Sequence, residues 1–139
     1  MIGAITQVCW VVDDIEAAMA QHDVRWMKIP DVHFGPDHCT YRGRPADFVV
    51  HVALGYSGGM QLELIQPVRG DSLYTEAGPC LHHVAYEPDP FEIPAESVQH
   101  GSFPGVGMEF AYVPGGPLGS WVELMRVGPE MREIFDSLR

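Results

Sequence analysis

The chain has 139 residues and a formal net charge of −11 at neutral pH, which argues against a nucleic-acid backbone or an anionic membrane surface as its partner. Its three cysteines follow no metal-finger spacing, which favours a reducing compartment over a disulfide scaffold. The N-terminus lacks a basic segment followed by an apolar core, and no apolar run approaches the roughly 18 residues of a membrane span. These features predict one soluble, cytoplasmic domain.

Short runs of β-branched and aromatic residues predict the strands of the first half. These runs are residues 5–12, 39–42, 48–54 and 60–66. Asp13 begins a helix after the first run, with Glu16 three residues later as a capping partner. Residues 26–47 are punctuated by proline and glycine and predict a long loop that carries the short second run.

The second half predicts the same order of elements in a shorter form. Its strands are expected over residues 81–87, 108–112 and 120–126. Asp89, Pro90 and Glu92 predict the start of a short helix between the first two of them. Residues 128–139 predict a final amphipathic helix, which we expect to cover an exposed part of the sheet or a subunit interface.

Two pairs of matching segments indicate that the half-domain is duplicated. Gln7, Asp13 and Glu16 align with His83, Asp89 and Glu92 at an offset of 83 − 7 = 76 residues. Residues 61–65 align with residues 121–125 at an offset of 123 − 63 = 60 residues. The predicted organisation is a single domain with repeat one at 1–67, repeat two at 80–127 and a C-terminal helix at 128–139. Each repeat is βαβββ, so we expect an α+β fold whose curved mixed sheet carries the helices on its outer face.

Side chains alternate between the two faces of a strand, so each strand can be divided into faces. We expect the uniformly apolar faces to pack under the helices. That choice leaves one polar residue of each of five strands on the concave side: Gln7, His51, Glu63, His83 and Glu123. The adjacent His82 is expected on the opposite face.

Four of these residues form a donor set for a divalent cation. One imidazole, two carboxylates and one amide oxygen suit Mn²⁺, Mg²⁺, Co²⁺ or Fe²⁺ more than a closed, cysteine-rich zinc site. The pattern leaves the ion's identity open, Zn²⁺ included. A metal that holds two neighbouring oxygens of a substrate would stabilise an enolate, the intermediate of proton removal beside a carbonyl.

Other residues are candidates for proton transfer and for substrate binding. His51 is a candidate general acid or base, because histidine exchanges protons near neutral pH. Glu123 or Glu63 is the alternative base. Tyr41, Arg42 and Arg44 are candidates to orient an anionic substrate, since arginine pairs well with carboxylates.

The chain resembles the vicinal oxygen chelate superfamily, which includes glyoxalase I, methylmalonyl-CoA epimerase, extradiol dioxygenases and bleomycin-resistance proteins. The matching segments are residues 7–15, 61–67, 81–86 and 121–124. The resemblance is greatest to the glyoxalase-like and epimerase-like branch. It implies metal ligation by Gln7, Glu63, His83 and Glu123, and assembly as a homodimer. Glutamine stands at position 7, where catalytic members often have histidine, and this departure argues against an extradiol dioxygenase.

Two functions follow from these expectations. The first is a metal-dependent isomerase, epimerase or lyase that removes a proton beside a carbonyl of a small organic acid or thioester. The alternative is a non-catalytic protein that holds a small apolar molecule in the same cleft, as bleomycin-resistance proteins do.

Overall fold

The computed structural model of the protein describes residues 3–103 and 105–139. Met1, Ile2 and Pro104, which belong to the predicted repeats, lie outside the described residues. The strands are β1 (Gln7–Val11), β2 (Met27–Phe34), β3 (Cys39–Tyr41), β4 (Arg44–Pro45), β5 (Phe48–Ser57), β6 (Met60–Arg69), β7 (Cys80–Tyr86), β8 (Gln99–Phe103), β9 (Met108–Pro114) and β10 (Trp121–Val127). The helices are α1 (Ile15–Ala20), α2 (Leu73–Ala77) and α3 (Pro129–Ser137), with a 3₁₀ turn at Pro117–Gly119.

All ten strands belong to one mixed sheet, in the order β2-β5-β6-β1-β7-β10-β9-β8-β3-β4. The first strands of the two halves, β1 and β7, pair antiparallel at its centre. Each also pairs in parallel with the last strand of its own half, β1 with β6 and β7 with β10. The predicted α+β fold with a curved mixed sheet is thereby confirmed.

The sheet curves until its distant strands approach each other. Phe34 at the end of β2 packs edge-on against Phe103 at the end of β8, with ring centroids 5.7 Å apart. The turn after β2 reaches β8 directly, since the Ser102 amide donates to the His38 carbonyl at 2.8 Å. A Cβ on the neighbouring Gly101 would lie 2.1 Å from that carbonyl oxygen, so this contact requires glycine.

The main core lies on the concave side of the sheet. It contains the even-numbered apolar residues of β5 together with the inward residues of β1, β6, β7, β9 and β10. α2 and α3 bury side chains in the same cluster, Leu73 and Tyr74 from α2 and Met131 and Phe135 from α3. α1 packs on the outer face, where Ile15 meets Ala53 and Leu64. α3 therefore packs against the main core through these two side chains.

The second half differs from the prediction in having no helix between its first two strands. Residues 88–98 are irregular, although they contain the capping signal read from Asp89 and Glu92. Pro88, Pro90 and Pro94 each lack an amide donor, and no apolar stripe at helical spacing offsets that loss. None of the helices in residues 3–103 and 105–139 is long and apolar enough to cross a membrane.

Candidate metal centre

The site is built on the four central strands of the sheet, on the concave face. Residues directly opposite each other on paired strands point to the same side. One row across the sheet comprises Glu123, Ala85, Gln7 and Gln61. The next row comprises His83, Cys9 and Glu63. The strand register thus carries both rows of polar side chains into the core.

The imidazole of His83 is the meeting point of the four predicted ligand side chains. Its Nε2 lies 3.2 Å from Gln7 Oε1, 3.4 Å from Glu63 Oε1 and 3.8 Å from Glu123 Oε1. His83 and Gln7 are fully buried, and Glu63 and Glu123 are nearly so. One nitrogen surrounded by three oxygens is a donor set that fits a divalent cation.

The amide of Gln7 is oriented by a neighbour on the adjacent strand. Its Nε2 donates to Gln61 Oε1 at 2.7 Å. The Gln61 Nε2 in turn donates to the Tyr56 hydroxyl at 3.4 Å. This arrangement turns Gln7 Oε1 towards His83. The oxygen of Gln7 is therefore available as a ligand.

Glu123 is the carboxyl group whose acidity the site changes most. Burial raises its pKa from 4.5 to about 7. The charge of Glu63 raises this pKa further, whereas the charge of His83 lowers it. A hydrogen bond with the Tyr112 side chain also lowers the pKa. Without a cation this carboxyl therefore holds a proton at neutral pH for part of the time.

Cys9 is a potential ligand that the sequence analysis did not select. It lies between His83 and Glu63 on β1, and one ligand atom from each of the three residues lies within 4.8 Å of the others. Burial, followed by the charge of Glu63, raises the thiol pKa well above its ordinary value, so the thiol is protonated. Strand alternation places Cys9 on the face of Gln7, which is the signal that could have identified it.

His82 points towards the same side as His83, which corrects the expectation that it lies on the opposite face. β7 has a bulge: Cys9 pairs with His83, whereas the next residue, Trp10, pairs with Leu81. His82 Nδ1 lies 2.8 Å from His83 Nδ1, and His82 Nε2 lies 3.3 Å from the Leu73 carbonyl oxygen. Burial lowers the pKa of His82 to about 3, so this imidazole is neutral at physiological pH.

The cavity beside the carboxylates is small, about 30 Å³. Its lining is Phe34, Val50, Val52, Glu63, Ile65, Tyr74, Phe103, Met108, Phe110, Tyr112 and Glu123. The Tyr74 and Tyr112 hydroxyls are 2.7 Å apart within this wall. The space suffices for about one water molecule, whereas sites for organic ligands usually measure roughly 300–1,000 Å³.

The predicted role of His51 at this cavity is wrong. Its cross-strand partner is Gln66, whose side chain accepts from the Ile15 amide at the start of α1 on the outer face. The His51 Nδ1 accepts from the Asp31 amide at 3.0 Å. Val50 and Val52 line the cavity instead, because the concave side is the main core and takes the more apolar face of β5.

The predicted substrate-binding residues also lie away from this cavity. The Arg42 guanidinium binds both carboxylate oxygens of Glu76 on α2, at 2.7 Å each, and the Tyr41 hydroxyl donates to the same carboxylate. Arg44 is exposed and borders a surface pocket with Tyr41. Tyr41 and Arg42 hold α2 against the β3 hairpin, and the role of the three residues in orienting an anionic substrate stays a prediction.

Comparisons with known proteins agree with the resemblance read from the sequence. Residues 6–101 match the family model of the glyoxalase/bleomycin resistance protein/dioxygenase superfamily. No curated protein sequence matches the chain. The crystal structure of methylmalonyl-CoA epimerase from Mycobacterium tuberculosis superimposes with a TM-score of 0.56 at 12% identity, covering 95% of this chain and 93% of that one. At this identity the likeness concerns the fold alone. The chain belongs to the glyoxalase/bleomycin resistance protein/dioxygenase superfamily, as the resemblance predicts.

Proposed function

We propose that the protein binds one divalent cation through Gln7, Glu63, His83 and Glu123 and catalyses proton transfer next to a carbonyl group. The substrate is a small organic acid or thioester, and the reaction is an isomerisation, an epimerisation or an elimination. The observation that carries the proposal is the convergence of three oxygens on His83 Nε2, at 3.2 to 3.8 Å.

Electrostatics support a cation at this point. Two acidic side chains are buried beside one imidazole, and burying a carboxylate is costly unless an opposite charge is close. A divalent ion would neutralise both carboxylates at once. Three oxygens and one nitrogen favour Mn²⁺, Co²⁺, Fe²⁺ or Mg²⁺, whereas participation of Cys9 would favour Zn²⁺ or Fe²⁺.

Glu123 is the proposed general base. Its carboxylate is held beside Tyr112, and it would accept the substrate proton when it binds the ion only loosely. A bound divalent ion would stabilise the negative charge that develops on a substrate oxygen. The apolar wall formed by Val50, Val52 and Ile65 would exclude bulk water from that proton transfer.

Substrate entry requires a change in the cavity wall, because about 30 Å³ does not admit an organic acid. Tyr74 is the lining residue carried by a helix rather than by the sheet. α2 is short, and it is held by the buried side chain of Leu73, by the hydrogen bond from the Leu73 amide to Gln99 and by an exposed Arg42–Glu76 ion pair. We propose that displacement of α2 withdraws Tyr74 and opens the site.

Metal titration and hydrogen exchange test the proposal together. Metal-free protein should bind Mn²⁺ or Co²⁺ with a stoichiometry of one. The loaded protein should then exchange the proton beside the carbonyl of candidate acids or thioesters in D₂O, as followed by proton NMR. The Glu123→Gln variant should lose the exchange, while Glu109→Gln on the exposed side of β9 serves as the matched control. The proposal is contradicted if the protein binds neither Mn²⁺ nor Co²⁺. It is also contradicted if the Glu123→Gln and Glu109→Gln variants exchange the substrate proton equally.

A second candidate is the non-catalytic binding protein, and the cavity lining favours it. Apart from Glu63, Glu123 and two tyrosine hydroxyls, that lining is apolar or aromatic. This function predicts that an apolar ligand raises the melting temperature without metal, and that no proton exchange occurs. The homodimer implied by the resemblance is a proposal as well, and the molar mass in solution tests it.

A further inference from the structure

We propose that His82 is a positioning residue: it fixes the tautomer of His83 and so directs the lone pair of His83 Nε2 at the metal. This inference deepens the proposed metal centre and rests on it. It follows from the hydrogen-bonded chain Leu73 carbonyl–His82–His83, whose three members are buried.

The bulge in β7 makes the chain of hydrogen bonds possible. In a regular strand His82 and His83 would point to opposite faces. Because His82 is the extra residue opposite β1, both imidazoles lie on the inner side, with ring planes at 85° and centroids 5.1 Å apart. The two Nδ1 atoms are 2.8 Å apart, so one of them must carry a proton and the other must accept it.

The Leu73 carbonyl decides which nitrogen carries the proton. A carbonyl oxygen only accepts, so His82 Nε2, at 3.3 Å from it, is the donor. A neutral His82 then has a bare Nδ1, which accepts the proton on His83 Nδ1. His83 Nε2 is left free for a cation, in the direction of Gln7 Oε1 and the two carboxylates.

The opposite tautomers would give Gln7 Oε1 a donor in the metal-free site, but they would leave the Leu73 carbonyl facing a second acceptor. A proton on His83 Nε2 and none on its Nδ1 would require His82 to donate from Nδ1. His82 Nε2 would then face the Leu73 carbonyl as a second acceptor, with no proton between them. The same choice would block the nitrogen that points to Glu63 and Glu123.

The chain of hydrogen bonds also connects the metal ligand to α2. Leu73 is the first residue of α2, and its amide donates to the buried Gln99 Oε1 at 3.0 Å. The Leu73 carbonyl is therefore held at the end of α2 that lies next to His82. A defect at His82 should consequently weaken metal binding without removing any ligand atom.

Three substitutions separate this role from simple packing. His82→Asn keeps an acceptor near the position of Nδ1, which faces His83. His82→Gln keeps only a donor near the position of Nε2, which faces the Leu73 carbonyl. His82→Phe removes both groups. We expect the Mn²⁺ dissociation constant, measured by competition with a chelator, to rise about 10- to 100-fold for the Phe and Gln variants and about 3-fold or less for Asn. His51→Phe, which removes a half-buried histidine on the outer face, is the matched control and should bind as the wild type does. Equal affinities for the Asn and Gln variants overturn the inference.

Nitrogen-15 NMR of the metal-free wild type tests the tautomers directly. We expect a proton on Nε2 of His82 and a proton on Nδ1 of His83, with or without a second His83 proton on Nε2 that is donated to Gln7 Oε1. A His83 imidazole protonated on Nε2 alone overturns the inference, whatever the metal affinity. If the wild type binds no metal, the proposed function fails, whereas this spectrum still decides the orientation of the two rings. If the Phe variant does not fold, the comparison of Asn with Gln decides the effect on metal binding.

Discussion

Glu63 and His83 stand on strands that are not paired with each other, yet Glu63 Oε1 lies 3.4 Å from His83 Nε2. β1 runs between their strands, and Cys9 occupies the position between them. Backbones two strands apart in a sheet are separated by roughly 10 Å, so the two side chains lean over Cys9 to meet. The inward curvature of the sheet makes this convergence possible.

Replacement of Glu63 by glutamine tests the charge requirement of this pair. The variant keeps the shape of the side chain and removes one of the two carboxylates near His83. We expect a loss of about 3 kcal/mol of metal-binding free energy, on the order of 100-fold in the dissociation constant for Mn²⁺. Isothermal titration calorimetry measures the change. An unaltered dissociation constant would exclude Glu63 as a ligand.

The pH dependence of stability should reveal Glu123 in the metal-free protein. The folded state raises its pKa from 4.5 to about 7 and therefore keeps a proton that the unfolded state has lost. The free energy of unfolding consequently falls as pH rises between these values, by roughly 3 kcal/mol for this group alone. His82 acts in the opposite sense, since its pKa falls from 6.5 to about 3 and its contribution grows with pH over that range.

Between pH 4.5 and 6.5 the two groups oppose each other in the wild type. The Glu123→Gln variant retains only the histidine, so its melting temperature should rise more steeply with pH there. Calorimetric scans in the presence of EDTA provide the comparison. At higher pH the melting temperature of the metal-free wild type should decline. Saturating Mn²⁺ should remove this decline, because the ion replaces the proton on Glu123. Parallel pH profiles for the two proteins would contradict the assignment.

Substitution of Cys9 by serine should change the preference among metals. Its thiol is buried against Glu63 and His83, and a soft ligand favours Zn²⁺ over Mn²⁺. We expect the Zn²⁺ dissociation constant to rise about 10-fold while that of Mn²⁺ changes by about 3-fold or less. Loss of the thiolate-to-Co²⁺ charge-transfer absorption gives a second readout. Cys80→Ser is the control, because Cys80 borders an outer-face pocket; equal effects of the two variants would rule out a role for Cys9.

Truncation of Tyr74 to alanine should enlarge the cavity and make it receptive to small apolar molecules. The side chain is buried and closes one wall of the 30 Å³ space, so its removal should destabilise the protein by about 3–5 kcal/mol. Benzene or indole should then raise the melting temperature of the variant and leave that of the wild type unchanged. Tyr74→Phe, which loses only the contact with the Tyr112 hydroxyl, is the matched control. No ligand response of the alanine variant would show that the cavity collapses.

The duplication explains how the sequence predicts the positions of the metal centre. Gln7 and His83 begin equivalent strands, and Glu63 and Glu123 lie on the strands that pair with them in parallel. One alternation argument therefore places all four side chains on one face. Their role as ligands stays a prediction until metal is measured.

The orientation of β5 was beyond the reach of the same argument. Both of its faces are largely apolar, with Val50 and Val52 on one side and Val49 and Ala53 on the other. Alternation separates the faces without saying which one the core takes. The pairing of Leu54 with Glu63, known only from the structure, fixes the orientation and moves His51 outwards.

The sequence predicts neither the inward orientation of His82 nor the absence of a helix over residues 88–98, and both have local causes. A bulge needs one residue out of register, and nothing in residues 80–86 marks His82 as that residue. Residues 88–98 carry a capping signal but lack the apolar stripe by which tertiary packing stabilises a short helix.

The two edge strands of the sheet, β2 and β4, are poorly suited to pairing with a strand of another copy. β4 is two residues long and contains Pro45, while β2 is interrupted by Pro30 and by a shift in pairing between Ile29 and Val32. Prolines and irregularities of this kind prevent a further strand from adding to a sheet. Both edges of the sheet are therefore poor templates for fibre-like growth by strand addition.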